Sequence, residues 1–283
     1  MESFQPSPTD HRISSMSIFD DSILDKILLL GNIDFSNYQA PDFNWYNHED
    51  FEQSPECTVQ FIKNHKIEFK GYYANATYYG QTRLGVKHGI GILLVPHLDY
   101  TDTMHTYEAI FRNGYPVKGR ILTNGDFRLA DLYKGDIEKN YEKNGKGELI
   151  NYYAQYKYEG RFERDQFIGE GSLTYFNGDR YEGNFFNGYL RKGKCFYSNK
   201  DYYEGGFFFD TRHDTYQRNG EGKYWSGGDC WDGEWNRDKK SGDGTLTFAD
   251  GSFQKGVWDV KPIGIHQFFG ADGVLIKEQD FGS

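Results

Sequence analysis

Apolar and polar residues alternate over short runs through most of the chain. In Tyr158-Glu159-Gly160-Arg161-Phe162, the Tyr, Gly and Phe share one face of an extended strand and the two charged residues share the other. In Gly169-Glu170-Gly171-Ser172-Leu173-Thr174-Tyr175, both glycines, Leu173 and Tyr175 fall together in the same way. This period of two predicts β-strands, and the dipeptides Asn177-Gly178, Gly227-Gly228 and Asp250-Gly251 predict the hairpin turns between them. Residues 1–60 follow another pattern. Ile23, Ile27 and Leu30 fall on one helical stripe with Leu24 and Leu28 beside it, Ser17 or Asp20 caps its start, and Gly31 ends it. A short helix is therefore expected over about residues 17–30. Tyr38–Phe51 mixes Tyr38, Phe43, Trp45, Tyr46 and Phe51 with Asp42, Glu49 and Asp50, which reads as an extended segment laid along an apolar surface.

From residue 133 the strands repeat one phrase. Tyr133-Lys134-Gly135 is followed by Tyr158-Glu159-Gly160, Tyr181-Glu182-Gly183, Tyr203-Glu204-Gly205, Trp231-Asp232-Gly233 and a worn copy, Gln254-Lys255-Gly256. The steps between them are 25, 23, 22, 28 and 23 residues. A Gly-x-Gly pair follows at Gly145/Gly147, Gly169/Gly171, Gly220/Gly222 and Gly242/Gly244; the copy at 181 keeps only Gly193, with Cys195 read into the second place. Upstream, Tyr107-Glu108-Ala109-Ile110-Phe111 has the same shape with Ala for Gly. Phe69-Lys70-Gly71-Tyr72-Tyr73, with Gly89-Ile90-Gly91 after about eight extra residues, reads as the first copy. Period-23 units that stack edge to edge predict a solenoid. The chain divides into an arm (1–60), an array of about eight units (61–262) and a C-terminal capping hairpin (263–283) with its turn near Ala271-Asp272-Gly273.

Composition supports a thin structure. The mean hydropathy is -0.79, yet the chain holds 23 Tyr, 23 Phe, 5 Trp and 34 Gly, which is not the aromatic-poor signature of disorder. Large rings over glycines fit that balance. The net charge of -10 speaks against phosphate-backbone binding and disfavours docking on anionic lipid, while leaving room for local basic patches. Three cysteines, Cys57, Cys195 and Cys230, show no framework spacing and fit a reducing compartment. The start MESFQPSPTD has no signal-peptide pattern.

The phrase Tyr-Glu-Gly-x-Phe/Trp followed by Gly-x-Gly resembles the MORN (membrane occupation and recognition nexus) repeat, over roughly residues 69–275. The resemblance implies an all-β, elongated single-sheet solenoid of stacked hairpins, here with a short N-terminal helix and an extended arm. It also implies a non-enzymatic protein–protein scaffold, bound to other proteins of a large ciliary, axonemal or other cytoskeletal assembly in the cytoplasm. Its runner-up is a phospholipid-associated tethering module, as in junctophilins; a peptide-holding enzyme regulator is a third reading. No Gly-x-Ser-x-Gly, His-Glu-x-x-His or Walker-type motif occurs, so no catalysis, cofactor or nucleic acid is expected. Pro96–His105 collects two His and two Asp without compact metal-ligand spacing.

Two sets of residues are candidates for partner contact. Tyr158, Phe162, Tyr181, Phe185, Tyr203, Phe207, Trp231 and Trp235 share one sheet face, where they either wall a groove or pack on neighbouring repeats. Ile23, Ile27, Leu30, Phe43 and Trp45 either dock on a partner or cap the first repeat. An insertion of about six residues within 209–218 is expected to lengthen one hairpin loop.

Overall fold

The computed structural model describes residues 56–70, 72–96, 104–125 and 128–282. None of these residues is helical; the expected helix and extended segment of the arm lie outside them. The strands are β1 (Cys57–Phe69), β2 (Tyr72–Arg83), β3 (Val86–Pro96), β4 (Met104–Arg112), β5 (Tyr115–Gly125), β6 (Arg128–Ile137), β7 (Lys143–Asn151), β8 (Tyr156–Glu163) and β9 (Gln166–Tyr175). They continue as β10 (Arg180–Phe186), β11 (Tyr189–Phe196), β12 (Tyr202–Asp210), β13 (Thr215–Ser226), β14 (Asp229–Asn236), β15 (Lys239–Thr247), β16 (Phe253–Asp259), β17 (Lys261–Phe269) and β18 (Leu275–Asp280). Each strand pairs antiparallel with its neighbours in sequence, giving one open sheet of 18 strands. The single-sheet all-β solenoid expected from the alternation is the fold. At about 4.8 Å per strand the sheet runs roughly 80 Å along its contour.

A line of glycines crosses this sheet at right angles to the strands. In register it runs Gly80, Gly91, Ala109, Gly119, Gly135, Gly147, Gly160 and Gly171. It continues through Gly183, Gly193, Gly205, Gly222, Gly233, Gly244 and Gly256. Along this line the missing Cβ atoms leave a trough, and the leading rings of five repeats, Tyr78, Tyr133, Tyr158, Tyr203 and Trp231, lie in it. The ring of Tyr158 covers both Gly160 and Gly171, so a Cβ on Gly171 would stand 2.5 Å from Tyr158 Oη. Tyr78, Tyr133, Tyr203 and Trp231 cover their own glycine pairs in the same way.

The hydroxyl explains why the leading ring is Tyr. Tyr78 Oη donates to the Gln81 carbonyl at 2.6 Å, Tyr133 to Asp136 at 2.7 Å, Tyr158 to Arg161 at 3.2 Å and Tyr203 to Gly206 at 3.0 Å. Each acceptor lies beside a β-bulge, where the ladder is interrupted and carbonyls need other partners. The first glycine of Gly-x-Gly forms that bulge. Gly169 has φ 65°, and nothing comes closer to its would-be Cβ than Arg161 Cδ at 3.9 Å. The two glycines of one motif therefore serve different ends: backbone conformation at Gly169 and clearance for a ring at Gly171.

The fifth residue of the phrase joins one repeat to the one before it. Tyr78 meets Phe111 edge-on at 5.1 Å, Tyr133 meets Phe162 at 5.0 Å and Tyr158 meets Phe185 at 5.1 Å. The series continues with Tyr181–Phe207 and Tyr203–Trp235, both at 5.7 Å, and Trp231–Trp258 at 4.4 Å. Tight turns add a hydrogen-bonded clasp. In the two-residue turn Arg164-Asp165, Asp165 N donates to Lys143 O at 3.1 Å, and Asp165 Oδ1 accepts from Lys143 N at 2.8 Å. Asp238 repeats this clasp on Arg218 at 3.0 and 2.9 Å.

Register corrects three readings of the sequence. The first copy leads with Tyr78-Tyr79-Gly80, not Phe69-Lys70-Gly71, so Gly80 and Gly91 stand opposite each other and the eight extra residues vanish. In the copy at 181, Gly193 occupies the ring-clearing place opposite Gly183, while Cys195 faces Tyr181 where Leu173 faces Tyr158 elsewhere. The insertion after 203 lengthens β12 and β13 and plants Tyr216 in the core, where its Oη accepts from Leu190 N at 3.1 Å. Ala109 is the one non-glycine in the line; its methyl fills the trough, and Tyr107 turns its hydroxyl to Tyr141 O at 2.9 Å instead.

Gly171→Ala and Gly169→Ala are both expected to destabilise the chain by about 1–3 kcal/mol, one through overpacking and one through backbone strain. Only Gly171→Ala couples to the ring. In denaturation cycles with Tyr158→Val, a coupling of about 1 kcal/mol or more is expected for Gly171 and additivity within about 0.5 kcal/mol for Gly169. Equal coupling at both sites would contradict the division of roles.

Candidate interaction surfaces and a lysine-lined cavity

The eight rings offered as a groove wall are between 0% and 6% exposed. Tyr158 stacks on Phe167 at 3.7 Å and meets Phe162 at 5.2 Å, while Trp231 is hemmed by Trp235 and Trp258. Tyr181 packs on Phe207 and Tyr216. A ring whose faces and edges are covered by other rings presents no surface, so the expected wall is corrected: Tyr158, Phe162, Tyr181, Phe185, Tyr203, Phe207, Trp231 and Trp235 form the core. Ile23, Ile27, Leu30, Phe43 and Trp45 lie outside the described residues.

The opposite face carries a second line, one residue from the glycines. In register it runs Tyr79, Ile92, Glu108, Arg120, Lys134, Glu148, Glu159 and Ser172. It goes on through Glu182, Lys194, Glu204, Lys223, Asp232, Thr245 and Lys255. From Glu148 onward these side chains are exposed or half-buried, and several pair: Lys157 with Glu148 and Glu159, Lys223 with Asp232. Exposed pairs of this kind add little stability. From β2 to β6 this face is buried as well, with Tyr79, Ile90, Ile92, Leu122 and Leu132 on it. Glu108 and Arg120 form a fully buried ion pair there, and burial pushes the Glu108 carboxyl well above the usual carboxylate range.

The last strand differs again. Every residue of β18 is exposed, and Val274, Leu275, Ile276 and Phe281 give that end of the sheet an apolar surface. The 209–218 turn is closed by His213 Nδ1 and Asp210 Oδ2 at 2.9 Å. Burial raises the Cys195 thiol to about 12, so it stays protonated and non-nucleophilic. Among the described residues, no group of three or more His, Cys, Asp or Glu is placed to hold a metal ion.

A cavity of about 460 Å³ opens where the end of β1, the start of β3, the β4–β5 turn and the loop after β6 meet. Lys66, Lys70, Lys87 and Lys139 line it, with Ile67, Tyr115 and Tyr141 as apolar wall and Glu68 as the lining carboxylate. Lys70 pairs with Asp165 at 2.5 Å. Lys87 is only 6% exposed; its Nζ lies 5.9 Å from the centre of the Tyr78 ring, and burial lowers its ammonium to about 8. Burial and the charge of Lys87 together lower His65, which also lines the cavity. No local sequence pattern marks this site, since its lysines come from separate repeats and from β1.

The sequence profile of the MORN repeat matches residues 158–180 and 231–253. The chain is a MORN-repeat protein. Both matched windows begin at a leading ring, Tyr158 or Trp231, and the register carries the same unit to the copies led by Tyr78, Tyr107, Tyr133, Tyr181 and Tyr203. MORN repeats of this kind form protein-interaction or membrane-association modules. A comparison with curated proteins gives no significant match.

Lys87→Met is expected to stabilise the MORN array at neutral pH by roughly 1–3 kcal/mol, because folding holds the lysine below its ordinary value and so disfavours its charged form. The wild-type penalty is full below about 8 and disappears as pH rises to the unfolded lysine value. The advantage of the variant should therefore shrink with rising pH in thermal unfolding, and a constant difference would refute the assignment.

Proposed function

We propose that this MORN protein is a non-enzymatic scaffold, a structural subunit of a ciliary, axonemal or other cytoskeletal assembly in the cytoplasm. The observation that carries the reading is the division of the sheet. The leading and fifth-position rings are spent on the inner face, and the outer face of β7–β16 presents an evenly spaced polar row in which charged residues predominate. A stiff strip of contacts at fixed spacing suits a part that holds other proteins in order. Clasps at Asp165 and Asp238 and the ring contacts between repeats support rigidity along that strip. Complementary charge on a partner would fix register more than raw affinity.

Detergent extraction of cells carrying the tagged protein tests this reading. Retention in the pellet along cilia or another cytoskeletal structure is expected. Full release into the supernatant after membrane staining would transfer the assignment to a phospholipid-tethering module, in whose favour stands the lysine-lined cavity.

A further inference from the structure

The cavity at the N-terminal end of the array is difficult to explain as packing. Its chain carries a net charge of -10, yet four lysines and one glutamate line this space. Lys70 and the nearby Lys143 share Asp165, which leaves that carboxylate occupied. Among the described residues, Lys87 and Lys139 form no ion pair; the Lys87 ammonium lies over the Tyr78 ring at 5.9 Å and is held down by burial. A buried ammonium without a carboxylate is costly, and an apolar side chain of similar length would fill the same place. An anion bound beside such a group would supply the missing countercharge.

We propose that this cavity is a binding site for a phosphate-bearing small molecule, with Lys87 as its inner cation and Lys139 as a cation at its mouth. Asn113 lines the same space and carries an amide donor suited to phosphate oxygens, while the Asn140 amide beside it donates to Glu142. The volume of about 460 Å³ exceeds a bare phosphate and falls within the range of small-ligand pockets. Tyr115 and Tyr141 would lie against the organic part of such a ligand. Glu68 and Asp165 stand beside the site and set a preference for ligands whose charge is compact enough to stay on the lysine side. The proposal is independent of the scaffold reading, because it uses the degenerate first repeats and no residue of the exposed outer row.

The test is calorimetric titration of the full chain with inorganic pyrophosphate, beside flotation with phosphatidylcholine vesicles containing phosphatidylinositol bisphosphate. Saturable binding of one pyrophosphate per chain is expected, weakened at least about tenfold by Lys87→Met and by Lys139→Met and unchanged by Lys255→Met on the distant outer face. Lys87→Met should fold at least as stably as the parent, so lost binding there cannot be lost structure. In the unsubstituted chain, pyrophosphate should also shield Lys87 from amine acetylation, read by mass spectrometry. Binding of pyrophosphate points to a soluble phosphate compound; binding of vesicles alone points to a headgroup, and either supports the site if Lys87→Met abolishes it. Absence of both kinds of binding, persistence in Lys87→Met, or an equal loss in Lys255→Met would overturn the proposal.

Discussion

A ring lying across two facing glycines is the contact on which the rest of this molecule depends. A single sheet has no second layer against which to bury its aromatic residues. The glycine line solves that problem inside the sheet, by lowering the floor of one face until a ring fits within it. The ring then spans two strands, and its hydroxyl reaches the carbonyl beside the bulge that the first glycine makes. Floor, ring and bulge must occur together, which is why Tyr, Gly and Gly-x-Gly recur as one phrase. Trp231 illustrates the constraint from the other side: it fills the trough, but its buried indole nitrogen has no acceptor.

The same contact makes each repeat incomplete by itself. The uncovered edge of a leading ring is closed by the fifth-position ring of the next copy, so burial propagates from neighbour to neighbour. That is the interdependence expected of a solenoid, in which stability resides in interfaces between units as much as within them. Turn aspartates tie the rim of one unit to the previous one and satisfy backbone groups that a lone hairpin would leave to water.

Strand geometry links the two faces. Placing glycine and ring on one side forces the intervening position to the other, and the second residue of each phrase becomes a row of charges. Through β7–β16 this row is solvated and free for contacts. Near the N-terminal end it is buried, so that the same position holds Tyr79 and Ile92, and then an acid and a base in direct contact, Glu108 and Arg120. The lysine-lined cavity belongs to that end, where the repeats are least regular and where β1 lies outside the glycine line.

Much of this was legible in the sequence. Alternation of period two gave strands, the turn dipeptides gave hairpins, and the phrases from Tyr133 onward gave the stacking order, because these depend on residues close together in the chain. Register through the worn copies was not legible. Facing glycines are separated by 10 residues in one hairpin (Gly183 to Gly193) and 17 in another (Gly205 to Gly222), since bulges and lengthened strands change the count without changing the partner. Hence Gly80 was passed over and Cys195 was put in a glycine's place. Whether a ring is wall or core was equally beyond the sequence: Tyr158 is covered by Phe185 from the following repeat, and exposure is set by such neighbours. The sequence by itself determined that rings and glycines would share a face. Only the tertiary structure decided that the face is closed and that Lys87 is buried beside a cavity, because burial is a property of the packed array and not of any one strand.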